Sequence, residues 1–147
     1  MAPPVVSNVL DTIGNTPCVR PKNVIPEGCA EVYLKLEYFN LTGSYKDRMA
    51  KSIIEEADKS GGLRPGLTVV EASGGSTGSS LALVCAAKGY NCHIVTSNAF
   101  AVEKLRTMGA FRTHVEIIHS PSSKIHADLI LSMIRRVNEH SQDPQIY

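Results

Sequence analysis

No charge of one sign dominates this chain: 15 basic and 14 acidic side chains leave a formal charge of +1. That balance gives no electrostatic footprint for nucleic acid or an anionic membrane. The opening Met1-Ala-Pro-Pro-Val-Val-Ser7 has no basic segment followed by an apolar run, so it does not read as a secretory signal. No apolar stretch approaches the roughly 20 residues that span a bilayer, and a cytoplasmic protein is expected. Of the four cysteines, Cys18, Cys29, Cys85 and Cys92, no two form a C-x-x-C pair. A zinc ribbon or a thioredoxin-type motif is therefore unsupported. The five histidines show no H-E-x-x-H and no i, i+4 pairing, so no metal site is expected from ligand spacing. Repeats and low-complexity tracts are absent.

What the chain does have is 147 residues, 43% of them hydrophobic, enough for one α/β domain with a real core. Val32, Leu34 and Leu36 alternate with Tyr33, Lys35 and Glu37, the period of a strand. Asn40 to Ser44 turns the chain, and Ser44 with Asp47 forms an S-x-x-D capping pattern for a helix starting at Tyr45. Ala50, Ile53, Ile54 and Ala57 give that helix an apolar stripe, which Gly61-Gly62 and Pro65 end. A strand over 67–72, a Gly/Ser loop over 73–78 and a helix to Lys88 follow, with Gly89 just past its end. Cys85 sits in that apolar helix as a small hydrophobe. His93-Ile-Val-Thr96 reads as a strand, and Val102, Leu105 and Met108 as a helix closed by Gly109. Val115 to Ile118 is a further strand. Ser120-Pro-Ser-Ser then precedes a helix with the stripe Ile125, Leu129, Met133, Ile134 and Val137. Another strand could begin at Gln145-Ile-Tyr147.

Strands alternating with helices at this spacing predict an α/β fold with a mostly parallel sheet between helical layers. Ligands of such sheets bind beyond the strand C-termini, where the loops 40–47 and 73–78 lie. Residues 1–30, with five prolines and little periodicity, read as a segment without a partner of its own.

Lys46 falls in the first turn of its helix. The helix N-terminus disfavours a second positive charge there. A free lysine titrates near ~10.4, so a helix N-terminus and a desolvated cleft are what turn one into a nucleophile. A neutral amine can form an imine with an aldehyde. From position alone, a solvated lysine on an amphipathic helix is the simpler reading. The loop Ser73-Gly-Gly-Ser-Thr-Gly78 joins a strand to a helix N-terminus and suits a carboxylate or phosphate. It is neither a Walker loop nor G-x-G-x-x-G, and a tight βα turn is its plain structural reading. Glu71 and Asp47 read as a strand-end acid and a capping residue rather than an acid–base pair. Arg135-Arg136 reads as a solvated helix face.

Three motifs then resemble one family. Ile13-Gly-Asn-Thr-Pro17 resembles the opening I-G-N-T-P of the cysteine synthase and cystathionine β-synthase family, a group of pyridoxal-phosphate (PLP) enzymes of fold type II, tryptophan synthase β-like. Glu37 to Arg48 resembles its N-P-x-G-S-x-K-D-R motif, and Val70 to Gly78 its loop with consensus T-S-G-N-T-G. The resemblance implies that Lys46 is the Schiff-base lysine and that Ser73, Gly74, Gly75, Ser76 and Thr77 bind the substrate carboxylate. Ser76 also stands where an asparagine usually contacts the cofactor, and serine has a shorter reach. Leu41 stands in place of a proline and Gly74 in place of a serine.

Family members run to roughly twice this length, as two domains. By the resemblance, residues 40–147 correspond to the small α/β domain. Residues 1–39 form a segment that packs on the large domain, which is mostly missing here together with the glycine-rich loop for the PLP phosphate. The implied chemistry is β-replacement or β-elimination on a serine-type amino acid. Lys46 would take the α-proton and a β-substituent would leave. A partner chain or a homodimer remains open. Two other readings stand beside this one: a catalytically inactive fragment serving as a binding module, and a generic anion- or nucleotide-binding α/β domain.

Overall fold

The structure, a computed structural model, describes residues 5–147. Its elements run β1 (Cys18–Val19), β2 (Leu34–Lys35), α1 (Lys46–Lys59), β3 (Thr68–Ala72), α2 (Ser76–Lys88), β4 (Asn91–Ser97), α3 (Val102–Ala110), β5 (His114–Ile118) and α4 (Ala127–His140). Strands β3, β4 and β5 form a parallel sheet in that spatial order, as the alternating pattern predicts. The end of the chain adds to the sheet beside β3. Thr68 N–H donates to the Gln145 carbonyl at 2.9 Å, and Tyr147 N–H donates to the Thr68 carbonyl at 2.9 Å.

Alternation along β4 explains the layers. Cys92 and Ile94 face one side, where they join Ala50, Ile54, Leu81, Val84, Cys85 and Met108 from α1, α2 and α3. Val95 faces the other, against Leu129 and Met133 of α4. The result is three layers, α1–α3, sheet and α4. Helix α2 carries no polar face, and from Gly78 to Cys85 every residue is buried. Gly89 ends it in the left-handed region at φ +79°, where only glycine is free of strain.

Several expectations need correction. The strand expected over 32–36 shrinks to β2, paired with β1 as a short antiparallel ribbon, and Val32, Tyr33 and Leu34 stay exposed. Neither side of that alternating run meets a core. Helix α1 begins at Lys46 rather than Tyr45; Ser44 Oγ accepts from Lys46 N–H at 3.1 Å, but Asp47 does not close a capping box. Ile53 lies off the buried stripe and is 48% exposed. Gly109 sits inside α3, whose last residue is Ala110. Helix α4 starts only at Ala127 because His126 caps it, its Nδ1 accepting from Leu129 N–H at 3.2 Å, so Ile125 falls outside the helix and is exposed.

The expectation that residues 1–30 lack a partner needs correction at Leu10 and Thr16, which are buried, while most of the described segment stays exposed; residues 1–4 lie outside the described ones. A short 3₁₀ turn at Val9–Thr12, capped by Asn8, drives Leu10 completely into the core beside α1 and α2. Lys51 Nζ donates to the Leu10 carbonyl at 3.0 Å. One leucine in a proline-rich segment shows no periodicity, so this docking left no pattern to read. Leu10→Ala should cost about 2–5 kcal/mol, the range for a truncated buried leucine. Urea unfolding checks this; a loss well under 1 kcal/mol would show that the segment is not part of the cooperative core.

Candidate functional site

Hydrogen bonds join the first two motifs, and others tie the second to α2, the helix that the third motif opens. Arg48, on the second turn's approach of α1, grips Glu37 with two nitrogens, Nε to Oε2 at 2.8 Å and Nη2 to Oε1 at 3.0 Å. The same Nη2 donates to Thr16 Oγ1 at 3.0 Å, and Thr16 donates to Glu37 Oε1 at 2.8 Å. Asn40 donates to Glu37 and accepts from Gly14 N–H at 2.9 Å. Thus Gly14 and Thr16 of the first motif are clamped to Glu37, Asn40 and Arg48 of the second. The Arg48 hydrogen bond, with that of Thr16, holds the Glu37 carboxyl at about 2, well below the usual range. A carboxyl depressed in the fold stabilises it fully above its ordinary value near 4.5 and loses that contribution as pH falls towards 2. The stability gap between the parent protein and Glu37→Gln should therefore be constant at neutral pH and shrink on acidification below about pH 4.5. Unfolding midpoints measured across pH check this.

Asp47 does something its sequence position does not announce. It is completely buried, and its carboxylate accepts from Thr42 N–H at 2.7 Å, from Thr42 Oγ1 at 2.5 Å and from Ser80 Oγ at 2.5 Å. The turn before α1 is thereby tied to the first turns of α2. Asp47 is not half of an acid–base pair, since its oxygens are committed to these donors. Glu71, on β3, is half-buried and its carboxyl is pushed up by that burial. It lines a cavity of about 240 Å³ between α1, β3 and α2, together with Met49, Ile53, Thr77, Leu81 and Tyr147.

Lys46 and the Ser73–Thr77 loop thus sit on neighbouring helix N-termini at the C-terminal end of the sheet, the end where α/β folds bind ligands. Lys46 is half-buried, and its Nζ lies 4.8 Å from the centre of the Tyr45 ring. Among the described residues no hydrogen bond links it to the loop. Within the loop, Ser73 is buried and its Oγ accepts from Gly78 N–H at 2.9 Å and Gly75 N–H at 3.3 Å. The expected ligand-binding hydroxyl of Ser73 therefore also shapes the turn. The amides of Ser76 and Thr77, first in α2, have no acceptor among the described residues. Free amides at a helix N-terminus favour an anion.

Gly74 has its own cause. A Cβ there would overlap the Phe100 ring. Phe100, in the turn after β4, occupies the space a serine side chain would need. Gly74→Ser should cost about 1–3 kcal/mol by overpacking, and Phe100→Ala in the same protein should recover most of it. Thermal melts of the three variants check this; a neutral Gly74→Ser would show that Phe100 moves aside freely.

Sequence reading missed a polar cluster on the opposite face of the sheet. His93 of β4, Glu116 of β5 and His140 at the end of α4 converge, with Glu116 Oε2 3.1 Å from His93 Nε2 and 2.8 Å from His140 Nε2. Arg136, expected to be solvated, donates from Nε to the other oxygen of Glu116 at 2.5 Å and from Nη1 to Glu139 at 3.0 Å. Burial pushes the Glu116 carboxyl up, but the Arg136 and His140 hydrogen bonds outweigh it and hold it at about 2. Burial, then His114 and His140, hold the His93 imidazole below its ordinary range. The separations of 23 and 24 residues are too long for any local ligand motif. The shared parity of His93 and Glu116 on paired strands was the only available signal.

Residues 9–143 match the pyridoxal-phosphate dependent enzyme family. The fold is that of a fold type II enzyme, and the chain belongs to that family. It is similar to the cysteine synthase of Staphylococcus aureus, 38% identical over 146 residues, 99% of this chain and 46% of that relative. The O-ureido-L-serine synthase of Streptomyces lavendulae is 43% identical over 108 residues, 74% of this chain and 33% of that relative. The crystal structure of the Entamoeba histolytica cysteine synthase superposes with a TM-score of 0.86 at 29% identity, covering all of this chain and 44% of that one. The chain thus spans less than half the length of these relatives.

Proposed function

We propose that this chain forms the lysine-bearing wall of a PLP site for β-replacement or β-elimination on a serine-type amino acid. The observation that supports it best is the Thr42–Asp47–Ser80 network, which holds Lys46 and the open amides of Ser76 and Thr77 at one end of the sheet. The residues present fit the reactive end of the cofactor and the substrate. Lys46 supplies an amine without an ion-pair partner among the described residues, and the 73–77 turn supplies donors for a carboxylate. PLP, when bound, supplies the electron sink that makes an α-proton of the substrate removable. Lys46 Nζ would hold PLP by its aldehyde end and, when free, would accept the substrate's α-proton. The amides of Ser76 and Thr77, with the Ser76 and Thr77 hydroxyls, fix the substrate carboxylate and so the direction of its Cα–H bond. Ser76 also faces the cofactor in this reading. A second chain or a homodimer partner is part of the proposal.

The test is release of the β-substituent from an O-acylserine by the PLP-loaded chain, with sulfide as acceptor. Release that depends on the serine-type substrate supports the reading; none, in the presence of intact PLP binding, contradicts it. A second reading, a binding module without turnover, is favoured by one observation: Tyr38, Phe39, Leu41 and Tyr45, around the turn leading to Lys46, are all exposed. Turnover separates the two, since release of the β-substituent by the purified chain excludes a binding module without catalysis.

A further inference from the structure

We propose that His93, Glu116 and His140 form a binding site for one divalent transition-metal ion, of the Zn²⁺ type, that pins the end of α4 to the sheet. Their ligand atoms lie within 4.8 Å of one another, on three different elements. The geometry has a plain origin. Register pairs His93 with His114 and Val95 with Glu116, so Glu116 stands diagonally across from His93 on the face that α4 covers. His140, the last residue of α4, reaches the same carboxylate oxygen from above.

Two imidazoles and a carboxylate suit a borderline divalent ion. Around tetrahedral zinc, with bonds near ~2.0–2.1 Å, neighbouring ligand atoms stand about 3.3 Å apart. The observed contacts to Glu116 Oε2, 3.1 Å and 2.8 Å, need to open by only a few tenths of an ångström. Arg136 holds the other carboxylate oxygen and so aims Oε2 at the histidines, the role an outer partner plays around a metal. Side-chain exposures of 11% for His93, 23% for Glu116 and 22% for His140 leave the site dehydrated on one side and open for entry on the other. The edge of His114 packs on His93, with ring centres 4.5 Å apart, and limits its rotation.

The site is separate from the lysine and the 73–77 turn. His93 is the third residue of β4, near the strand's start, whereas those loops follow strand ends. A bound ion would therefore act on the stability of α4 and the sheet rather than on the amino-acid chemistry.

Zn²⁺ titration of the full 147-residue chain by calorimetry tests the inference, with Co²⁺ as a spectroscopic probe. The expected result is saturable binding of one ion per chain, visible cobalt bands without a thiolate charge-transfer band, and a melting temperature that rises with Zn²⁺. His140→Ala and Glu116→Gln should each weaken binding at least ~10-fold. No saturable binding would overturn the site and leave a hydrogen-bonded cluster. Undiminished binding in His140→Ala, or a thiolate band that moves the ion to cysteine, would overturn it equally. Should either variant fail to fold, the cobalt spectrum of the unsubstituted protein decides by the same criteria.

Discussion

Replacing Lys46 by alanine should abolish covalent capture of PLP and lower turnover of a serine-type amino acid at least ~1,000-fold. The expected size follows from the two tasks given to one atom. Without Nζ there is no imine to the cofactor aldehyde, and no amine at the α-proton once the substrate has entered. Positioned proton transfer alone is worth about 10²–10⁴-fold. The fold should tolerate the change. Lys46 sits at the first position of α1, half-buried, and its amine lies 4.8 Å from the centre of the Tyr45 ring. Alanine is a good helix former there. Melting curves that superpose, with labelling and turnover lost, are the expected pair of results. Undiminished turnover in Lys46→Ala would remove Lys46 from the mechanism.

The second large effect is on stability, one residue further along. Asp47→Ala should cost at least ~3 kcal/mol, because donors lose their acceptor in a fully buried position. The Thr42 amide and one of the Thr42 and Ser80 hydroxyls, which lie 3.3 Å apart, would lose their acceptor, and the void adds to the loss. Against a total stability of about 5–15 kcal/mol, that is a large share. Asp47→Asn keeps the volume and one acceptor oxygen, so it should cost less. Urea unfolding of the two variants checks the order. A small loss in Asp47→Ala would mean that α1 and α2 hold their relative positions through packing alone. The turn at 73–77 would then stay in place without the network, and its alignment with Lys46 would need another cause.

The sheet was legible because its strands are short apolar runs separated by helices with clear stops, and the period of each survives in the residues. Helix α2 reads as buried because Leu81 to Ala87 has no polar side. The elements that carry the candidate site were legible where they rest on local motifs, in the turn before Lys46 and in the Ser73–Gly78 turn. It was not legible where one residue acts at long range. Asp47 has the spacing of a capping box with Ser44, yet its partners are Thr42 and Ser80, 33 residues away for the latter. The polar pair Ser79-Ser80 at the head of an otherwise apolar helix was the one hint that a buried acceptor lay opposite. Leu10 gave little hint, because the apolar residues around it, Val5, Val6, Val9 and Ile13, form too short a run to set a period. Phe100 explains Gly74 only once the turn after β4 is folded back over the loop. His93, Glu116 and His140 share a place because strand parity and the length of α4 bring them there, and neither is written as a motif.

The measurement that bears most directly on the account is borohydride trapping of the purified chain incubated with PLP, read by peptide mass spectrometry alongside the visible spectrum. The account predicts a phosphopyridoxyl group confined to Lys46 and a defined absorption band before reduction. Labelling spread over surface lysines such as Lys22, Lys59 and Lys124, with no defined band, would contradict it.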